Sequence, residues 1–162
     1  MPMMTNRGHL TVRLAKLADM PACARILNDW IDATEWMPRV HPHEDVERHY
    51  RQDVFPNRTV YFAENPDREA AGFLALSDDS YITAFYIDEK FRNAGLGASL
   101  LGKAKALSPQ GLKLWTFVEN RNAQRFYQRE GFREELRTAG DNEEGLADIL
   151  YVWTPENEGT AA

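Results

Sequence analysis

The stretch Tyr81-Ile-Thr-Ala-Phe-Tyr-Ile-Asp-Glu-Lys-Phe-Arg-Asn-Ala-Gly-Leu-Gly-Ala-Ser-Leu-Leu101 decides how this chain is read. An apolar segment rich in β-branched and aromatic residues ends at Ile87, which predicts a strand. A turn follows with Arg92 and glycines at 95 and 97, and Leu96, Leu100, Leu101, Ala104 and Leu107 then recur at helical spacing. Backbone N–H groups at a helix N-terminus lack intrahelical partners and sit at the positive end of the helix dipole, so a glycine-lined turn there can hold a phosphate. Arg92 adds positive charge. The same residues would also serve as an ordinary tight turn. Position 100 is Leu and no Gly-Lys-Ser/Thr follows, so neither the dinucleotide fingerprint nor the P-loop fits.

Working outward, Leu10–Leu14 alternates as a strand, and Asp19 with Pro21 predicts the start of a helix to about Ala33. Its apolar stripe is Met20, Cys23, Ile26, Leu27, Trp30 and Ile31. After the loop 34–42, the acids Glu44, Asp45 and Glu47 and the pair Val46/Tyr50 predict a short second helix. Thr59–Glu64, Ala70–Ser77 and Tyr81–Ile87 read as an antiparallel meander, because only short turns separate them. Helix 95–107, strand Leu112–Val118, a helix from Asn122 to Arg129 closed by Gly131, an extended segment from Phe132 and a strand Leu146–Trp153 complete the chain. The order β-α-α-β-β-β-α-β-α-β-β predicts an α+β fold with a mixed, mostly antiparallel central sheet flanked by helices.

The 162 residues suit one domain, residues 1–162, with an ordered core over about 10–153 and flexible termini. No apolar run approaches the roughly 18 residues of a membrane span. No secretory signal is visible before Leu10, so the expected compartment is cytoplasmic. One cysteine makes no internal disulfide, and Cys23 falls on the apolar stripe as a buried, inert thiol. A net charge of −6 argues against general affinity for nucleic acid or anionic membranes. The charge is polarised: 90–129 carries +7 and 130–162 carries −7. A small polyanion beside an acidic region that attracts a cation would fit this pattern. His41, His43 and His49 lack metal-ligand spacing and read as loop or surface residues, so no metal is expected.

Twenty-five residues after Gly97 comes Asn122-Ala-Gln-Arg-Phe-Tyr-Gln-Arg-Glu-Gly-Phe132. Together the two segments resemble the GNAT superfamily of N-acetyltransferases. Its signature is Arg/Gln-X-X-Gly-X-Gly/Ala followed by Asn-X-X-Ala-X-X-Phe-Tyr-X-X-X-Gly-Phe. The likeness runs from about Leu10 to Trp153, since the element order also looks like that fold. It implies acetyl-coenzyme A as cofactor, with the pyrophosphate on the amides of Arg92, Asn93, Ala94, Gly95, Leu96, Gly97 and Ala98. The pantetheine arm would pair with strand backbone at Phe85, Tyr86 and Ile87, in a gap where that strand splays from Leu112–Val118. Asn122 would hydrogen-bond the cofactor and Phe126 would line or underlie its pocket. Tyr127 would be the general acid and the Ile87 amide the oxyanion donor.

Many members of that superfamily place a glutamate on the strand before the cofactor-binding stretch, and Tyr81–Ile87 contains no acid. Glu35, Glu119, Glu143, Glu144, Asp148 or water would take that role. The segments 36–41 and 142–148 are proposed to form the acceptor pocket, where Trp30, Trp36, Glu35, Glu144 and Asp148 would suit a cationic amine. The resemblance therefore implies acetyl transfer to a primary amine of a small molecule or peptide by direct attack. The rival reading is a non-catalytic acyl-coenzyme A binding or sensing module, which the missing strand acid favours. A hydrolase or metal enzyme lacks a serine elbow or a ligand cluster. Homodimerisation is left open, with the last strand as the available edge.

Overall fold

A computed structural model describes residues 8–156, and the expected flexible ends outside that range lie beyond the described residues. The elements are β1 (Thr11–Leu14), α1 (Met20–Ala33), α2 (His43–His49), α3 (Phe55–Asn57), β2 (Thr59–Glu64), β3 (Ala70–Leu76), β4 (Ile82–Ile87), α4 (Leu96–Leu107), β5 (Leu112–Phe117), α5 (Arg121–Arg129), β6 (Arg133–Thr138) and β7 (Asp148–Trp153). Strands β1-β2-β3-β4 form one antiparallel sheet and β5-β7-β6 a second. They join through a single parallel bridge, Tyr81 to Lys113. The parallel component of the expected mixed sheet is thus confined to one residue pair.

Strand β3 lies in the middle of the first sheet, and all its residues after Ala70 are buried. One apolar core packs α4 and Tyr127 against the sheet, and the other face packs against α1 and the segment 46–54. Cys23, with no exposed surface, sits in the second core, where burial pushes its thiol far above the ordinary value. It stays an unreactive thiol.

Four local expectations change. The second helix does not stop near Tyr50 but continues through a π-helical turn, Tyr50–Val54, into α3. Tyr50 and Val54 are buried, so the widened turn keeps apolar contacts that a helix end would expose. Asp19 does not cap α1 with its side chain. Its carboxylate accepts from the Lys16 amide (2.7 Å) and from both Arg13 terminal nitrogens (2.7 and 3.1 Å), a charged, two-pronged contact that outcompetes a neutral cap. Helix α5 begins at Arg121 and is capped by Asn120, whose Oδ1 accepts from Ala123 N at 3.2 Å. Finally, β7 is enclosed between β5 and β6, so the free edge of that sheet is β6, exposed through Arg137.

Arg13 also bonds Glu64 (3.0 Å) and so ties β1 to both the start of α1 and β2. Burial alone would raise the Asp19 carboxyl, but the Arg13 and Lys16 bonds outweigh it and hold the group below its usual value. Its stabilisation is therefore present above about pH 4 and is lost as the pH falls further. Replacing Arg13 with Met should cost about 1–2 kcal/mol, roughly 2–8 °C in melting temperature, and should flatten the acid limb of a stability-against-pH curve.

Candidate active site

The bridge at Tyr81 is where β4 and β5 come closest in register. Lys113 N donates to Ser80 O at 3.0 Å, and beyond that point the strands part around a cleft of about 690 Å³. The direction of each backbone group on the cleft wall follows from the ladder. Asp88 N donates to Ala71 O across β3 (2.8 Å), and the register Gly72↔Ile87, Phe73↔Tyr86, Leu74↔Phe85 is regular. Backbone groups alternate sides along a strand, so Tyr86 bonds β3 while Phe85 and Ile87 turn theirs toward the gap. On β5 the same reasoning from Lys113 turns Trp115 toward the gap and leaves Leu114 and Thr116 to β7, while Phe117 O, at the end of the strand, already accepts from Asn120 N at 3.0 Å. Two strand edges thus face each other across a space too wide to pair them. Backbone groups in that position call for a partner from outside the sheet.

The turn after β4 closes one end of the cleft. Asp88, buried, accepts from Lys90 N (2.9 Å) and Arg25 (3.1 Å), and Phe91 is wholly buried beneath it. Asn93 (φ 62°) and Gly95 (φ 78°) both adopt left-handed backbone, and Gly95 caps α4. The first hydrogen bond back into the helix is Ser99 N to Gly95 O, so the amides of Leu96, Gly97 and Ala98 are the free donors of the first turn. Helix α4 has 12 residues, enough for its dipole to favour an anion at that end. Arg92, Arg125 and Arg129 line the same cleft, with Arg129 stacked over Phe126. Gly97 allows a close approach: a Cβ there would lie 3.1 Å from the Phe126 ring, which would have to give way by a few tenths of an ångström.

Expected cofactor residues Phe85, Tyr86, Ile87, Arg92, Asn93, Gly95, Leu96, Gly97, Ala98, Asn122 and Phe126 all line this cleft, whereas Ala94 stands exposed in the turn outside the lining. Asn122 Oδ1 accepts from Arg125. The spacing Asn-X-X-Ala is met by Asn120, not Asn122, and the cap places Asn120 on the cleft wall too. Thr83, Trp115 and Phe117 were not anticipated. Trp115 carried a signal, being a large aromatic on the face of β5 opposite Leu112, Leu114 and Thr116, and it is 44% exposed.

Tyr127, buried, packs among Phe85, Phe126, Phe132 and Tyr151. Burial, with Tyr86 nearby, pushes its hydroxyl well above the usual phenol value. Tyr86 is pushed up to about 12, by burial first and by the Glu144 carboxylate second. Across the cleft, Trp30 packs at a tilt on Tyr86 (5.3 Å) and meets Trp36 (5.7 Å), which reaches Phe117 (5.9 Å).

A second recess, about 530 Å³, adjoins the cleft at Trp115, Thr116 and Phe117, which line both spaces. Asp141, Glu144 and Asp148 line it. Its loop is pinned: Asn142 Nδ2 donates to Leu146 O (2.7 Å) and Asp148 Oδ2 (3.1 Å), and Thr138 donates to Asp148 Oδ1. The His41 to Glu143 contact (3.2 Å) joins the segments 36–41 and 142–148. Glu35 and Glu119 are exposed and line neither space. His43 pairs with Asp32 (2.7 Å) and His49 with Asp53 (3.5 Å).

The strands, the gap and the turn before α4 form an α+β arrangement that comparison with known proteins specifies. Residues 56–134 match the family model described as acetyltransferase (GNAT) domain. Residues 56–134 thus resemble a GNAT acetyltransferase domain, and the chain has the GNAT fold. Similar solved structures include apo YjaB from Escherichia coli (22% identity, 90% of this chain and 97% of that one, TM-score 0.73). Another is yncA from Salmonella typhimurium with its cofactor acetyl-CoA (17%, 91% and 94%, 0.70). A third is an N-acetyltransferase from Staphylococcus aureus Mu50 (19%, 91% and 99%, 0.69). No curated protein sequence matches the chain. Among the described residues no helix is long and apolar enough to cross a membrane.

Because Tyr50, Tyr86 and Tyr127 all ionise above the ordinary value in the folded chain, the stability they confer is complete below about pH 10 and is lost as the pH rises further. Phenolate absorbance on alkaline titration should appear first from exposed tyrosines, then from the half-buried Tyr86, with Tyr50 and Tyr127 following only near alkaline unfolding.

Proposed function

We propose that this chain is an acetyl-CoA-dependent N-acetyltransferase acting on a primary amine of a small molecule or peptide by direct attack. The observation that carries the reading is the gap between β4 and β5, toward which the strand alternation turns the backbone of Phe85, Ile87 and Trp115, and which ends at the N-terminus of α4. The residues fit the cofactor. The amides of 96–98 with Arg92 would take the pyrophosphate, the Phe85 and Ile87 backbone the amide-bearing arm, and Phe126 would pack beneath it across Gly97. Bound acetyl-CoA supplies a thioester carbonyl open to attack and a sulfur leaving group.

The chain's own groups do the rest. The Ile87 N–H, turned into the gap, donates to the carbonyl oxygen as negative charge develops there. Tyr127 stays protonated over the working pH range and gives its proton to the departing sulfur. The burial that raises the phenol also raises a thiolate's affinity for a proton in the same place, so the transfer is matched. The aromatic wall of Trp30, Trp36 and Phe117 and the acidic recess behind it suit a cationic acceptor. The net charge and the lone buried thiol agree with a cytoplasmic enzyme of small or peptide amines, not of nucleic acids. Any homodimer would use the β6 edge.

The rival reading, an acyl-coenzyme A sensor, draws on the absence of an acid from β4. Thiol release from acetyl-CoA in the presence of amines separates the two. The enzyme reading expects turnover, with Tyr127→Phe lowering kcat by about 10²–10³-fold while acetyl-CoA at roughly 100 times its Kd still adds about 2.7 kcal/mol of stability. Stabilisation without thiol release from any amine would establish the sensor instead.

A further inference from the structure

We propose, resting on the transferase reading above, that Glu144 on the β6–β7 loop takes the proton from the acceptor amine and so replaces the acid that β4 lacks. A primary amine is an ammonium ion at neutral pH and has no lone pair to attack with. A base is needed within reach, directly or through one water, of the acceptor nitrogen beside the thioester.

The structure removes the other acids in turn. Glu35 and Glu119 are exposed and line neither space. Glu143 is exposed and paired with His41. Both oxygens of Asp148 are engaged, by Thr138 and Asn142, in holding the loop. Asp141 lines the recess but is exposed at its rim. Glu144 alone is half-buried, lines the recess against Trp115 and Phe117, and has no hydrogen bond or ion pair within the described residues. Those two residues are also the wall of the cleft, so the recess and the cleft share one boundary.

The Glu144 charge is also felt on β4. Tyr86 lines the cleft, and the Glu144 charge makes its phenol harder to ionise. Tyr86 in turn does the same to Tyr127. The pinned Asn142–Leu146 turn holds Glu144 in place, and its neighbours Asp141 and Asp148 draw an ammonium ion toward it.

The protons balance. Glu144 accepts one from the ammonium nitrogen and later releases it to solvent. The freed nitrogen forms the C–N bond as the C–S bond breaks. Tyr127 protonates the sulfur and recovers its proton from the second one that the nitrogen sheds. The net products are amide, thiol and one released proton.

The test uses the full chain with acetyl-CoA and three probes: benzylamine, putrescine and α-N-acetyl-lysine amide. Glu144→Gln should lower kcat/KM by roughly 10²-fold or more near pH 7. The loss should shrink as the pH approaches the amine's own value near 10, where free amine needs no base. Acetyl-CoA should raise the melting temperature of the variant as it does the wild type. Phenolate titration should move Tyr86 downward, a readout independent of turnover. Glu119→Gln, on the exposed turn, should behave as wild type. A wild-type pH profile in Glu144→Gln, or a loss equal at every pH, would overturn the role of Glu144 and leave the transferase reading standing. A wild type that transfers acetyl to none of the three probes would overturn both.

Discussion

Everything in this molecule that bears on chemistry depends on two strands that begin as neighbours and then separate. A single bridge at Tyr81 and Lys113 fixes the vertex, and past it β4 and β5 leave backbone groups facing an open space. Such an opening costs ladder hydrogen bonds and persists only because other contacts hold each side. On the β5 side, Gln124 donates to Phe117 O and Val118 O (3.3 and 2.6 Å), so the end of the strand is tied to α5. On the β4 side, Phe85 wedges against Phe126 and Tyr127, while Tyr86 on the opposite face is held by Phe73 and Trp30. The aromatic residues are thus both the packing and the walls.

Polarity across the gap completes the design. One end gathers the free amides of α4 and the arginines of the turn and of α5, which suits phosphate. The adjoining recess gathers Asp141, Glu144 and Asp148, which suits an ammonium group. The opposite charges of 90–129 and 130–162 in the linear sequence contribute to the cleft and to the recess beside it. A thioester held by the first and an amine held by the second would meet near Ile87 and Tyr127.

Much of this was legible in the sequence because it rests on local chemistry. The glycine turn before α4 declares itself through Gly95 and the apolar spacing behind it, and the meander through its short turns. What escaped were decisions made by distant residues. Asp19 looked like a helix cap because nothing local shows that Arg13 claims its carboxylate. Asn122 looked like the start of α5, although the cap is Asn120, two residues before it. The place of β7 between β5 and β6 is a matter of strand order, which periodicity does not encode. Glu144 could not be separated from Glu143 by sequence, since only the fold turns one into the recess and pairs the other with His41.

The central claim is that the backbone of Phe85 and Ile87 is held open for an acyl-coenzyme A arm. Amide hydrogen exchange, residue by residue with and without saturating acetyl-CoA, addresses it directly. The account predicts that Phe85 and Ile87 exchange readily alone and are strongly protected by the ligand, while Tyr86 and Asp88, already bonded to β3, change little. Equal exchange at Phe85 and Ile87 in both states would contradict it.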